Sequence, residues 1–140
     1  MTFNIHAAML QRYCAPEFAL LFEVGNATGF ATNRHADAIA MSLWPSRGLA
    51  LHGFEFKASR SDWVRELKDP AKAETIATFC DYWFLVVSDR EIVKANELPM
   101  TWGLLAPKGD KLVVVKEAIK NGAVKSVDRG FLASMFRRIH

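Results

Sequence analysis

The sequence Tyr82-Trp83-Phe84-Leu85-Val86-Val87 is an apolar run of six residues, bounded by Asp81 and by Ser88-Asp89. A strand that is buried on both faces has this composition, as in a sheet that helices cover. The run is far shorter than the roughly 20 apolar residues that a membrane-spanning helix needs. It therefore predicts a central strand of a helix-covered sheet.

Two more strands are predicted before this run. Residues 35–44 alternate in polarity, which places Ile39, Met41 and Leu43 on one face of a strand. The turn-forming residues 45–48 separate this segment from a second strand over 49–57. The two strands therefore form a hairpin.

The remaining pattern supplies helices and further strands around this core. The predicted helices cover 5–13, 16–23, a segment starting near Ser61-Asp62 and restarted at Asp69-Pro70, and 129–139, and the predicted strands cover 102–106 and 112–115. In the second helix, Phe18, Leu21 and Phe22 would form the apolar face. The order predicts one domain over residues 1–140, of the α/β or α+β class, and we take it as α/β with a mixed central β-sheet flanked by helices.

Charge is distributed unevenly along the 140 residues. The net charge is +3, but residues 1–107 hold ten Lys and Arg against twelve Asp and Glu, whereas residues 108–140 hold eight against three. A basic segment of this kind suits either a solvated surface or contact with phosphates. Its position at the end of the chain makes residues 108–140 a candidate surface for a polyanion.

The two cysteines, Cys14 and Cys80, lie far apart and beside no pattern of metal ligands. Free cysteines suit a reducing compartment, and the first residues lack the basic and apolar regions of a signal peptide. We therefore expect a cytoplasmic protein that does not enter a membrane.

Three residues of the predicted hairpin suggest chemistry. Glu55 and Lys57 are two apart in one strand, so their side chains lie on the same face, and Phe56 points to the other. The hairpin register can bring Asp37 beside Glu55. Two carboxylates are typical ligands of Mg²⁺, and a metal held there, with the lysine beside it, suits phosphoryl transfer.

Ordinary structural roles compete with these assignments. An acidic residue two positions before a lysine is common, and most such pairs are surface ion pairs between strands. Arg34 suits a phosphate contact, a salt bridge that orients Asp37, or a solvated charge. Arg60 is a candidate substrate contact, whereas Ser61 and Asp62 suit helix capping. His52 falls on the face opposite Glu55 and is predicted to be structural.

The residues around this triplet resemble a known superfamily. The segments Arg34-His35-Ala36-Asp37-Ala38-Ile39 and Gly53-Phe54-Glu55-Phe56-Lys57-Ala58-Ser59-Arg60-Ser61-Asp62-Trp63 resemble the PD-(D/E)XK nucleases. More narrowly, they are similar to the MmcB-like branch of DNA-repair proteins and to related phage proteins. The resemblance covers about residues 30–118, although Ala36 stands where the superfamily's name has proline.

The resemblance implies a restriction-endonuclease-like core and a nuclease that uses Mg²⁺ or Mn²⁺ to cut DNA. It implies that Asp37, Glu55 and the backbone carbonyl of Phe56 hold the metal and that Lys57 assists the attack of water. It adds a further acid from the first helix, with Glu23 the best-placed candidate and Glu17 the second.

The resemblance also implies a polar active-site residue on the helix after the lysine, for which Lys72 and Glu74 compete. Arg34, Arg60 and Lys72 are then the candidate nucleic-acid contacts. A homodimer is expected only by analogy with enzymes that make double-strand cuts. The alternative is a non-catalytic nucleic-acid-binding or protein-interaction module on the same fold, because a fold does not determine a function.

Overall fold

A computed structural model describes residues 2–29 and 34–139. Its centre is a six-stranded sheet in which the strands follow one another in chain order. The strands are β1 (Phe18–Gly25), β2 (His35–Ser42), β3 (Leu51–Lys57), β4 (Tyr82–Val87), β5 (Gly103–Lys108) and β6 (Lys111–Lys116). Strands β3, β4 and β5 are parallel, and the other neighbouring pairs are antiparallel. The sheet is therefore mixed, as the sequence predicts.

Within the described residues, four α-helices accompany the sheet, which makes this an α/β fold. They are α1 (Ile5–Arg12), α2 (Arg60–Leu67), α3 (Glu74–Ala77) and α4 (Arg129–Phe136). Ser59 caps α2, since its hydroxyl accepts a hydrogen bond from the amide of Asp62 at 3.2 Å. The predicted start near Ser61-Asp62 is thus close, but the capping residue is Ser59. A short 3₁₀ turn, Pro70–Ala73, leads into α3.

The predicted helix over 16–23 is wrong, because this segment forms β1. Phe18 and Phe22 pack toward α1, whereas Leu21 and Val24 pack toward α3 and α4. Apolar residues on both sides suit a strand, and β1 pairs with β2 from Phe18↔Ser42 to Gly25↔His35. The spacing of Phe18, Leu21 and Phe22 also fits a helix, so the error arose from a pattern that both structures share.

The core fills both faces of the sheet. On one face, Met9 of α1 packs with Phe54 and Val86. On the other face, Phe131 of α4 packs with Ile39, and Trp63 of α2 packs with Leu85. Five of the six residues of β4 are buried, which confirms the prediction of a strand covered on both sides.

Gly53 of β3 lies directly beside Trp83 of β4. A Cβ at this position would overlap the indole ring and come within 2.8 Å of Cys80 Sγ. Only glycine lets the tryptophan lie this close to the backbone of β3. His52 lies on the other face, stacked against Tyr82 with ring centroids 5.2 Å apart, as expected of a structural histidine.

Cys14 is exposed and Cys80 is buried, and both are free thiols. Burial raises the pKa of the Cys80 thiol to about 12, so it stays protonated and inert at neutral pH. Among the described residues, no helix is long and apolar enough to cross a lipid bilayer.

Candidate active site

The first part of the site lies where β2 begins and β3 ends. Their hairpin pairs Ala38 with Phe54, so Asp37 and Glu55 are the next residues along the two strands. Asp37 Oδ2 accepts a hydrogen bond from the amide of Phe56 at 2.7 Å. The carboxyl of Glu55 also lies within hydrogen-bonding reach of Asp37. The predicted hairpin register therefore brings the two acids together.

Lys57 lies on the same face as Glu55, since the two residues are separated by one position in β3. Its ammonium Nζ is 3.3 Å from Glu55 Oε1 and 3.0 Å from Glu66 Oε1. Phe56 points to the opposite face, where its ring contacts His6 and Phe22. Phe56 thus anchors in the core while its neighbours face the site.

Glu66 is a site residue that sequence reasoning missed. It lies on α2, its side chain is only 4% exposed, and its carboxylate pairs with Lys57. The ten residues from Lys57 to Glu66 include the end of β3 and most of α2. Its position depends on how α2 packs on the sheet, although its spacing from Trp63, a buried residue of the same helix, could have indicated an inward face.

Glu23 lies in strand β1. This corrects the expectation that the additional acid of the site comes from a helix. Glu23 lies between Phe22, paired with Ala38, and Val24, paired with Ala36, and is therefore opposite Asp37. Its φ of 54° places it in the left-handed region, which a non-glycine residue seldom adopts in a strand. The charge of Glu23 acts on Asp37.

Burial and mutual repulsion raise the pKa of both central acids. Burial, followed by the charge of Asp37, raises the pKa of Glu55 to about 7. Burial also raises the pKa of Asp37, although the hydrogen bond from Phe56 opposes the change. A bound cation would act in the opposite direction and favour the charged form of both carboxylates.

The ammonium of Lys57 stays charged in spite of its enclosure. Burial alone would lower the pKa of Lys57, but the hydrogen bond and charge of Glu66, together with Glu55, outweigh it and raise the pKa. Lys57 is therefore a fixed positive charge beside the two acids.

A cavity of about 240 Å³ opens beside Glu55 and Glu66. Arg34 and His35 line it at the start of β2, and Lys72 lines it from the 3₁₀ turn that precedes α3. Two of the predicted nucleic-acid contacts, Arg34 and Lys72, thus share a cavity with the acids. Glu74, the rival of Lys72, lines a different cavity with Trp83.

Arg60 and Glu17 are engaged elsewhere. Arg60 makes a two-pronged contact with Glu97, with Nη1–Oε1 and Nη2–Oε2 distances of 2.5 Å and 2.6 Å. Trp63 Nε1 donates to the same carboxylate at 3.2 Å. Glu17 precedes β1 and lies 3.9 Å from Arg47 of the β2–β3 turn, at the opposite end of the hairpin from Asp37. Glu17 is therefore not part of the site.

The donor set suits a hard divalent cation held by few protein groups. The described residues contain no group of three or more His, Cys, Asp and Glu side chains arranged to hold a metal. Mg²⁺ is commonly held by one or two carboxylates, with water completing its shell. Asp37 and Glu55 supply two, and the carbonyl of Phe56 points to the same side of β3 as its amide, toward Asp37. The residues therefore fit Mg²⁺ or Mn²⁺.

Comparison with known proteins adds a likeness of fold. A solved structure of a protein of unknown function from Silicibacter pomeroyi is similar, with a TM-score of 0.61 and 22% sequence identity. The alignment covers 94% of this chain and 79% of that one. The likeness shows the fold alone. No protein-family model matches the chain, and no curated protein matches it.

Proposed function

We propose that this protein is a metal-dependent nuclease with a restriction-endonuclease-like core, which hydrolyses phosphodiester bonds of DNA. The observation that carries the proposal is the meeting of Asp37, Glu55 and Lys57 on one face at the end of the β2–β3 hairpin. Two buried carboxylates are unfavourable when both are charged, unless a cation lies beside them or one of them takes up a proton. A lysine beside it suits a reaction in which negative charge develops.

Each residue has a defined task in this proposal. Asp37, Glu55 and the carbonyl of Phe56 would hold Mg²⁺ or Mn²⁺, with Glu23 beside them. The metal would activate water and neutralise charge on the phosphate. Lys57 holds a positive charge near the attacked phosphate, and Glu66 keeps its ammonium in place.

The surroundings of the acids support an anionic substrate. Arg34 and Lys72 line the cavity beside Glu55, so two positive side chains face a phosphate that enters it. Phosphate contacts of this kind position a nucleic acid without reading its sequence. Such an enzyme would act in DNA repair, recombination or phage DNA processing in the cytoplasm. That it forms a homodimer stays a prediction.

A non-catalytic nucleic-acid-binding module is the second candidate. One observation favours it: Lys57 lies between Glu55 and Glu66, so the acids already have a cation of their own. A protein of this kind would bind DNA with a steep dependence on salt and no dependence on metal.

The test is cleavage of plasmid and single-stranded DNA in Mg²⁺ or Mn²⁺ by the wild type, Asp37→Asn and Lys57→Ala. We expect metal-dependent cleavage by the wild type and a loss of roughly 100-fold or more in each variant. The asparagine can still accept the hydrogen bond from Phe56, so Asp37→Asn should fold normally.

Matched controls are Asp110→Asn in the β5–β6 turn and Lys94→Ala, whose side chain is 54% exposed. Both should cut like the wild type. Nuclease activity is refuted if the wild type leaves every substrate intact in both metals, or if the site variants cut as well as the controls.

A further inference from the structure

Helix α4 has an apolar stripe on its solvent side. Leu132 and Phe136, four residues apart on α4, are 40% and 61% exposed, and Ile139, three residues after the helix ends, is 57% exposed. The inner side of the helix is already occupied, since Phe131 and Met135 pack on the core. The stripe is therefore additional to what the fold needs.

This helix borders the candidate site. Arg138 Nε donates a hydrogen bond to the backbone carbonyl of Glu23 at 2.8 Å. Glu23 belongs to β1 and lies opposite Asp37 of β2. At the other end of the helix, Gly130 lies against Ala27, two residues after the end of β1. Helix α4 thus runs beside the edge of the sheet at which the acids lie.

Charge indicates what the stripe would contact. Arg129 and Arg137 are exposed on α4, within the segment 108–140 that carries the chain's positive excess. A second copy related by a two-fold axis would bring these arginines toward each other, which like charges oppose. A polyanion complements them.

The exposed ring of Phe136 favours one class of polyanion, a nucleic acid with unpaired bases. Bases of a single strand present their faces to aromatic side chains, whereas bases of a duplex are already stacked on one another. Arginines beside an exposed ring therefore suit an unpaired strand better than a duplex.

We propose that α4 is a platform for single-stranded nucleic acid leading away from the candidate site. An unpaired base stacks on Phe136, and Arg129 and Arg137 contact phosphates on either side. The inference rests on the proposed function in its choice of ligand, and it adds the substrate class: single strands, or duplexes with an unpaired end.

The experiment measures binding of fluorescein-labelled oligothymidylate, and of a duplex of equal length, by fluorescence anisotropy in EDTA. Phe136→Ala should weaken single-strand binding about 10-fold and leave duplex binding little changed, since stacking of one base contributes about 1–3 kcal/mol. Arg137→Ala should weaken binding to both ligands and reduce the slope of log K against log salt by about one.

The matched controls are Leu43→Ala, an exposed apolar residue at the far end of β2, and Arg47→Ala in the adjoining turn. Both should bind like the wild type. The inference is overturned if Phe136→Ala binds single strands normally or weakens both ligands equally. It is also overturned if Phe136 matters only for binding to vesicles of anionic phospholipid.

The two proposals fail in different ways. Normal binding by the α4 variants, together with cleavage that depends on Asp37, would overturn the platform and leave the nuclease. Binding that depends on α4, without cleavage in any metal, would overturn the nuclease and leave the platform. Absence of nucleic-acid binding by the wild type in EDTA would overturn the platform alone, because cleavage in Mg²⁺ or Mn²⁺ decides the nuclease.

Discussion

Two clusters of oppositely charged side chains, both including residues of α2, shift the pKa of a carboxyl group in opposite directions. In the site, Glu55 lies between Asp37 and Lys57, and burial raises its pKa to about 7. In the second cluster, the hydrogen bonds from Arg60, and then from the amide of Lys94, lower the pKa of Glu97 to about 2. The first carboxylate shares one ammonium with Glu66, whereas the second has a guanidinium to itself.

The difference separates the site proposed to bind a metal from a structural contact. Arg60 meets Glu97 with both nitrogens of its guanidinium, and Trp63 completes the set of donors. Lys57 is a single ammonium shared by two acids, with a third acid beside them. Where acids outnumber cations in a partly buried place, a metal ion is the natural complement.

Neutralising each carboxylate should have opposite effects. Glu55→Gln should reduce metal-dependent cleavage roughly 100-fold, because a metal ligand is lost. It should also stabilise the protein by on the order of 2 kcal/mol near neutral or higher pH, because a buried charge is removed. Glu97→Gln should lower Tm without changing cleavage. Cleavage rates and thermal melts of both variants would check this, and a fall in Tm for Glu55→Gln would contradict it.

The same contrast predicts the dependence of stability on pH. The folded pKa of Glu55 is raised, so its contribution is complete below its ordinary value of 4.5 and is lost as pH rises through about 7. The folded pKa of Glu97 is lowered, so its contribution is complete above 4.5 and is lost as pH falls toward about 2.

The combined contribution of these two carboxylates to the free energy of unfolding should therefore be largest near pH 4.5. It should decline at higher pH because of Glu55 and at lower pH because of Glu97. Urea denaturation across the pH range would measure it. Glu55→Gln should flatten the curve between about pH 5 and 8, and Glu97→Gln should flatten the acid side. Equal flattening by both variants would show that the two clusters do not differ in this way.

A smaller effect is expected at Glu66, whose carboxylate pairs with the ammonium of Lys57 and also lines the cavity beside Glu55. Glu66→Gln keeps an oxygen that can accept from the ammonium but removes the charge, so cleavage should fall about 10-fold. The fall should lie in kcat rather than KM. Asp62→Asn on the same helix is the control, because its carboxylate contacts the exposed Arg65. A change in KM alone would show that Glu66 acts on substrate binding instead.

Local patterns sufficed for the parts of the fold that are defined by burial. The run 82–87 matches β4 residue for residue, and the hairpin of β2 and β3 follows from alternation and turn residues. Strand β1 could not be derived in the same way, because Phe18, Leu21 and Phe22 satisfy helical spacing. Pairing with β2, about twenty residues away, decides its conformation, as tertiary context does for many short segments.

The same limit applies to the site. The period of two along β3 places Glu55 and Lys57 together, and the hairpin adds Asp37, so this juxtaposition was predictable. The pairing of Lys57 with Glu66 depends on the packing of α2, and the capture of Arg60 by Glu97 joins residues 37 apart in the sequence. Neither contact has a local signature. The roles of Arg34 and Lys72 toward nucleic acid remain predictions.

The contact of Arg138 with the carbonyl of Glu23 joins residues 115 apart in the sequence. Asp37, Glu55, Lys57 and Glu66, in contrast, lie within one continuous stretch of the chain. During synthesis from the N-terminus, this stretch emerges well before α4. Closing the loop between Glu23 and Arg138 therefore costs more chain entropy than closing the short loops that bring the acids together. The groups proposed for cleavage are thus joined by short loops, and the helix proposed for binding is joined to them by a long one.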